Sequence, residues 1–267
     1  MATDALQDAQ CPLCEGTGWK TSSVDRRVRT VVRCECQAAV RSARLLEQAG
    51  LPLQYADCSL QNFDVTFAAA TKPLGDALLF AKKFVQNYPL EKAGILFSGP
   101  CGTGKTHLAT AILRELVLQK GARCLFCGDS ALLKQVQATF RKQIVADEET
   151  GIVLTEYSIL QDVIHAEVLV LDDLGGEKSG QWGLSMLYHV INERYNERRT
   201  TIITTSFPWD VPPSVSPVQR STPAAEIMKR TTLRDRISER IYSRIAEMCP
   251  HRLELHGTDY RRRKDPQ

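Results

Sequence analysis

Short runs of consecutive apolar residues recur along the chain, and the stretches between them carry apolar side chains at helical spacing. They lie within Gly94-Ile95-Leu96-Phe97-Ser98, Ala122-Arg123-Cys124-Leu125-Phe126-Cys127, Glu167-Val168-Leu169-Val170-Leu171-Asp172-Asp173 and the β-branched Thr200-Thr201-Ile202-Ile203-Thr204-Thr205-Ser206. Each is too short for a buried helix and predicts a strand covered on both faces. His251-Arg252-Leu253-Glu254-Leu255-His256 predicts a final strand. Helical periodicity predicts helices after Lys105 and over residues 130 to 141, 157 to 164, 183 to 198 and 233 to 248. Upstream, residues 37 to 48 read as a linker helix ended by Gly50-Leu51-Pro52, and residues 74 to 88 as a helix closed by Pro89. Residues 142 to 155 read as a surface loop, and the prolines between 207 and 225 exclude regular structure there. Residues 55 to 63 follow no period. Strands alternating with helices predict an α/β fold, a parallel sheet flanked by helices.

Composition sharpens this picture in three ways. At 267 residues the chain is long enough for one full core and a small appendage, which we divide as residues 1 to 50 and 51 to 267. No apolar run approaches the roughly 18 residues of a membrane span, and the start lacks a basic region followed by an apolar stretch, so a cytoplasmic protein without a membrane partner is expected. Net charge is only +3, yet Arg26, Arg27, Arg29, Arg33, Arg41 and Arg44 crowd one region and Arg261-Arg262-Arg263-Lys264 forms a basic tail. Such clusters either contact phosphates or form solvated surface.

Nine cysteines argue for metal ligands and buried thiols rather than a disulfide framework. Cys11-Pro12-Leu13-Cys14 and Cys34-Glu35-Cys36 form two close pairs separated by nineteen residues. A hairpin that joins them, with residues 27 to 33 as one strand, completes a tetrahedral zinc site of four thiolates. The second pair is C-x-C, tighter than the usual C-x-x-C. Cys124 and Cys127 have no second pair nearby and read as buried strand thiols.

The strongest chemical signal is Gly99-Pro100-Cys101-Gly102-Thr103-Gly104-Lys105-Thr106, followed by His107 and set between a strand and a helix. Glycines let this loop turn its N–H groups and the helix N-terminus onto phosphate oxygens, Lys105 neutralises charge and Thr106 holds magnesium. The expected ligand is a nucleoside triphosphate. Downstream, the third apolar run ends in Asp172-Asp173, which looks like a Walker B strand. Asp172 can hold the magnesium through water, Asp173 can orient or deprotonate the attacking water, and Glu177 is a weaker candidate for the same task. Ser206 or Thr205, ending the next strand, would lie beside the γ-phosphate. Arg240 and Arg244 could reach a neighbouring subunit's phosphate as an arginine finger in trans, which predicts a homo-oligomer, or could pair with Glu239 or Glu247 on the surface. Eleven residues follow His256, so a core without a C-terminal helical lid is expected.

With Gly102-Thr103-Gly104-Lys105-Thr106, Leu171-Asp172-Asp173-Leu174-Gly175, Ile191-Asn192-Glu193-Arg194-Tyr195, Arg240-Ile241-Tyr242-Ser243-Arg244 and Gly257-Thr258-Asp259-Tyr260-Arg261, the chain resembles the DnaC/IstB family of AAA+ ATPases, in particular DnaC-like helicase loaders. The resemblance implies an AAA+ P-loop NTPase core and an ATP-dependent switch that places a replicative DNA helicase on single-stranded DNA, with the cysteine-rich module binding the helicase. An IstB-like transposition helper is the alternative within the family. A nucleotide-gated adaptor with little hydrolysis is the alternative outside it. The family ends its fourth core strand in Thr-Thr-Asn, whereas Thr204-Thr205-Ser206 stands here, so sensing or hydrolysis is expected to be weaker.

Overall fold

The computed structural model describes residues 11–25, 28–66, 71–142, 145–146, 153–154, 156–177, 179–210 and 231–261. Arg26, Arg27, residues 211 to 225 of the proline-rich stretch, and Arg262, Arg263 and Lys264 of the basic tail lie outside them.

The first elements among the described residues are a β-hairpin, β1 (Trp19–Asp25) antiparallel to β2 (Val28–Arg33), and helix α1 (Glu35–Gln48) directly after it. A short 3-10 turn at Leu53–Tyr55 leads to α2 (Thr71–Asn87). The sheet that follows is built from β3 (Ile95–Ser98), β4 (Cys124–Gly128), β7 (Val168–Asp172), β8 (Thr200–Thr205) and β9 (His251–Glu254), ordered β4-β7-β8-β3-β9 with every pairing parallel. Helices α3 (Lys105–Lys120), α4 (Asp129–Lys142), α5 (Glu156–His165) and α6 (Gln181–Asn196) supply the crossovers, and α7 (Leu233–Arg236) and α8 (Glu239–Met248) precede β9.

The apolar runs are continuous because successive strand residues face opposite helical layers. Ile95, Phe97, Val168, Val170 and Ile202 point into one cluster with α2 and α3, while Leu96, Leu169, Leu171 and Ile203 point into the other with α4, α5, α6 and α8. Ala49, at the end of α1, is fully buried in the first cluster, and its carbonyl accepts from the Phe126 N–H at 2.7 Å. The cysteine-rich hairpin is therefore anchored to the main core through α1, with packing that continues across residue 50. Cys124 and Cys127 are buried strand thiols, both pushed up to about 12 by burial.

Two expectations are corrected. The single helix over 233 to 248 is two: Ile237 and Ser238 are extended, and Ser238 accepts the Ile241 N–H as the N-cap of α8. Thr232 and Asp235 form a capping box on α7, so two start signals six residues apart end one helix and begin another. The expected loop over 142 to 155 contains a small antiparallel pair, β5 (Val145–Ala146) with β6 (Val153–Leu154). Among the described residues, no helix is long and apolar enough to cross a membrane.

Candidate active site

Parallel strands aim their carboxyl ends at one edge of the sheet, and β3, β7 and β8 bring three separately predicted segments together there. The strand order decides the site: β8 lies between β7 and β3, so its last residues separate the acidic pair from the phosphate loop.

The loop between β3 and α3 turns through glycines with positive φ at 99, 102 and 104. Space as well as backbone angle demands them. A Cβ at Gly99 would meet the Leu255 carbonyl oxygen at 2.1 Å, one at Gly102 would meet Asp259 Oδ1 at 1.8 Å, and one at Gly104 would meet the Phe63 ring at 2.6 Å. Thr103 ties the loop to itself by donating to the Pro100 carbonyl at 2.9 Å. Lys105 folds back over it, its ammonium donating to the carbonyl oxygens of Gly99 at 2.8 Å and Pro100 at 2.7 Å. Burial lowers the Lys105 pKa, against the opposing pull of the nearby Asp173 and Asp172 carboxylates. A buried ammonium held only by carbonyl dipoles is suited to an incoming polyanion.

Beneath the loop runs a relay of hydroxyls and carboxylates. Asp172 Oδ1 accepts from Thr106 Oγ1 at 2.8 Å and from Thr204 Oγ1 at 2.6 Å. Thr204 in turn accepts the Asp173 N–H at 2.9 Å, and Ser206 Oγ donates to Asp173 Oδ1 at 3.2 Å. Burial pushes the Asp172 carboxyl up, and the hydrogen bonds from Thr204 and Thr106 pull it partly back. Asp173 has a φ of 55°, a left-handed conformation uncommon outside glycine. Cys101 Sγ lies 3.6 Å from Ser206 Oγ, which links the loop to the end of β8. Glu177 is instead drawn to the surface by Lys134 at 3.4 Å.

These groups line a cleft of about 610 Å³, a volume suited to a small-molecule ligand. Its outer wall is the segment to which the sequence assigned no structure. Tyr55 and Phe63 line the cleft, and Phe63 packs edge-on to His107 with ring centroids 5.3 Å apart. His107 meets the Ser59 carbonyl at 3.0 Å through Nε2, so its ring fixes this wall to α3. The opposite rim is the stretch after β9, where the Tyr260 N–H donates to the Gly102 carbonyl at 3.1 Å. Thr204, Tyr55 and Phe63 are the site residues that sequence reasoning missed. Thr204 belongs to a β-branched run that reads as strand, and only its neighbour across the sheet gives its hydroxyl a task.

Arg240 and Arg244 do not pair with Glu239 or Glu247. Arg244 donates to Asn192 Oδ1 at 2.9 Å, to the Tyr188 hydroxyl at 3.0 Å and to the Arg240 carbonyl at 3.1 Å, with its guanidinium 4.8 Å from the Tyr188 ring. Glu239 pairs with Arg234 and Glu247 accepts from Tyr195, while Arg240 is exposed. Arg244 is thus tethered to α6 rather than left as a mobile surface charge.

At the other end of the chain, Cys11, Cys14, Cys34 and Cys36 have Sγ atoms all within 4.8 Å of one another. Cys11 and Cys34 are 3.7 Å apart and Cys14 and Cys36 3.5 Å. Four sulfurs at about 2.3 Å from a central tetrahedral ion lie about 3.8 Å from each other, so the cluster has the size such an ion requires. The C-x-C spacing works because Cys34 is the N-cap of α1 and Cys36 lies in its first turn. The Cys34 N–H donates to the Gly18 carbonyl at 2.8 Å, which closes the hairpin onto the first knuckle.

The family of IstB-like ATP binding proteins matches residues 4–216. The replicative helicase loader DnaC of Escherichia coli (strain K12) is 26% identical over 168 residues, 63% of this chain and 63% of that protein. The chain therefore spans less than two thirds of the length of this curated relative. A Sinorhizobium fredii (strain NBRC 101917 / NGR234) protein named for insertion-sequence ATP binding is 34% identical over 117 residues, 44% of this chain and 35% of that one. The crystal structure of the DnaC helicase loader superposes with a TM-score of 0.57 at 29% identity, covering 77% of this chain and 100% of that one. AMPPCP-bound DnaA from Aquifex aeolicus, at 18% identity and a TM-score of 0.53 over 75% of this chain and 50% of that one, shares the fold.

Proposed function

We propose that this chain, which belongs to the family of IstB-like ATP binding proteins, is a magnesium-dependent ATPase that loads or remodels a replicative DNA helicase on single-stranded DNA. The observation that carries the reading is the relay from Thr106 through Asp172 and Thr204 to Asp173, set directly beneath the phosphate loop. Thr106 Oγ1 and Asp172 Oδ1 are the oxygen donors suited to hold magnesium, which when bound would neutralise charge on the β- and γ-phosphates. The loop from Gly99 to Gly104 wraps the phosphates: Cys101, Gly102, Thr103 and Gly104 offer backbone N–H groups, and Pro100, which has none, fixes the turn that leads into them. Lys105 exchanges its carbonyl partners for phosphate oxygens. Asp173 orients or deprotonates the attacking water, and Ser206 holds that carboxylate from the side.

Cys11, Cys14, Cys34 and Cys36 hold zinc, which staples the hairpin to α1 and supplies no chemistry of its own. This module meets the helicase, and the ATPase core works as a homo-oligomer in which Arg240 and Arg244 of one copy act as fingers on the next. The Escherichia coli relative, a replicative helicase loader, supports this reading over a gated adaptor. The insertion-sequence relative and the family description support a second reading, in which the same core recruits a transposase.

The test is ATP hydrolysis by the purified protein with and without single-stranded DNA, with Lys105→Ala as the blank. Turnover stimulated by DNA is expected. Nucleotide binding without turnover in either condition would overturn the ATPase reading in favour of an adaptor whose partner completes the site.

A further inference from the structure

The turn Asp173-Leu174-Gly175-Gly176 joins the acidic pair to the rest of the chain, and its backbone can be accounted for group by group. The Asp173 N–H goes to Thr204 Oγ1, and the Asp173 carbonyl accepts the Gly176 N–H at 3.0 Å. The Leu174 N–H goes to the Thr204 carbonyl at 2.8 Å, and the Leu174 carbonyl accepts from Thr205 Oγ1 at 2.8 Å. The Gly175 N–H donates to Asp129 Oδ2 at 3.1 Å. The two remaining carbonyls, of Gly175 and Gly176, are taken by one side chain: Arg236 donates from Nε at 2.8 Å and from Nη2 at 2.9 Å.

Every other partner comes from β8, from the turn itself or from Asp129 at the head of α4. Arg236 alone comes from α7. Its guanidinium is also held 4.8 Å from the ring of Phe207, which directly follows Ser206. The turn is therefore gripped between a carboxylate that is 4% exposed and a bidentate guanidinium fork. The grip has something to hold. Asp173 has a left-handed backbone at φ 55°, and such conformations persist only where surrounding contacts over-determine them. A Cβ at Gly176 would lie 2.3 Å from Asp173 Oδ2, so the carboxylate is folded back over the part of the turn that Arg236 fixes.

We infer that Arg236 is a positioning residue for Asp173: by holding the carbonyls of Gly175 and Gly176 it keeps the strained turn, and with it the Asp173 carboxylate, in place for water activation. The inference rests on the ATPase reading of the site. It also gives the α7–α8 segment, which carries Arg240 and Arg244, a direct mechanical connection to the catalytic turn.

The experiment compares wild type, Arg236→Ala and Arg236→Lys in two measurements: steady-state ATP hydrolysis with direct ATP binding, and amide hydrogen exchange across residues 172 to 176. Arg236→Ala should lower kcat about 10-fold while the Kd for ATP stays within about two-fold, because loss of alignment reduces turnover without loosening the ligand. The Gly175 and Gly176 amides should exchange about 10-fold faster, with α3 unchanged. Arg236→Lys should recover part of both, since an ammonium reaches one carbonyl but lacks the fork. Turnover at the wild-type level in Arg236→Ala would overturn the inference, as would lost turnover without faster exchange at the turn, or lost turnover matched by an equal loss of ATP binding. Should wild type itself show no turnover, the ATPase reading fails separately. Exchange then decides: faster exchange confined to the turn sustains the clamp, and unchanged exchange overturns it.

Discussion

Removing the Thr204 hydroxyl tests the relay at its centre. Thr204 is 1% exposed and hydrogen-bonds to both acids, donating to Asp172 Oδ1 and accepting the Asp173 N–H. Thr204→Val keeps the shape and removes both bonds. The bond to an ionised carboxylate contributes about 1.5–3 kcal/mol, and leaving a buried N–H unpaired costs about 1–3 kcal/mol. Allowing for the better burial of a methyl group, of order 0.8 kcal/mol, the net destabilisation should be about 2–5 kcal/mol. Thr204→Ser is the control, since it keeps the hydroxyl and loses a methyl worth about 1 kcal/mol. Turnover should fall on the order of 10- to 100-fold in the valine variant, because the Asp173 N–H loses the acceptor that fixes its backbone. The pH profile supplies an independent sign. The Thr204 bond holds the raised Asp172 carboxyl down, so its loss lets that pKa rise further, and the acid limb of kcat/KM should move to higher pH. Urea unfolding midpoints and pH–rate profiles of the two variants make the comparison. If Thr204→Val matches Thr204→Ser in midpoint, turnover and acid limb, the hydroxyl is not a link between the acids and the relay argument is wrong.

Asp172→Asn should separate stability from function. The folded-state pKa of Asp172 is raised, so its contribution to stability is present below the unfolded pKa and lost as pH rises through the folded value. Its buried charge is then a cost at neutral pH. The asparagine variant should melt higher without nucleotide and lose turnover, and a lower Tm at pH 7 would contradict the burial argument. Metal analysis of protein purified without chelator should find one equivalent of zinc per chain, lost in Cys11→Ser or Cys34→Ser; protein free of metal would refute the cluster's assignment. Mixing Arg244→Ala chains with Asp173→Asn chains in equal amounts should restore about a quarter of wild-type turnover, since a quarter of neighbouring pairs carry both intact residues. No recovery would mean that the Arg244 tether to Asn192 and Tyr188 is its whole role.

The phosphate loop, the acidic pair and the four-cysteine set were all legible because each depends on short-range order. Glycines at 99, 102 and 104 must turn a strand into a helix within a few residues, and Asp172-Asp173 must end a buried strand, whatever lies beside them. The segment over 55 to 63 was opaque for the converse reason. Phe63 has no period to belong to, and it becomes a wall of the cleft only because Gly104 leaves room for its ring and His107 stands edge-on to it. The helix over 233 to 248 was misjudged where apolar spacing ran across two capping signals, Thr232 with Asp235 and then Ser238, and local hydrogen bonding outweighed the periodicity.

The order of elements and the chemistry of the loop thus follow from the chain read in one dimension, since hydrophobic period, glycine placement and capping are properties of neighbours. Which side chains meet at the carboxyl edge does not. Thr204 reaches both acids because β8 is hydrogen-bonded between β7 and β3, and Asp129 and Arg236 meet across the Gly175–Gly176 turn from 46 residues before Gly175 and 60 residues after Gly176. Those contacts depend on strand order and crossover packing, which are settled by burial of two opposed apolar layers over the whole domain, a property no local stretch of sequence carries.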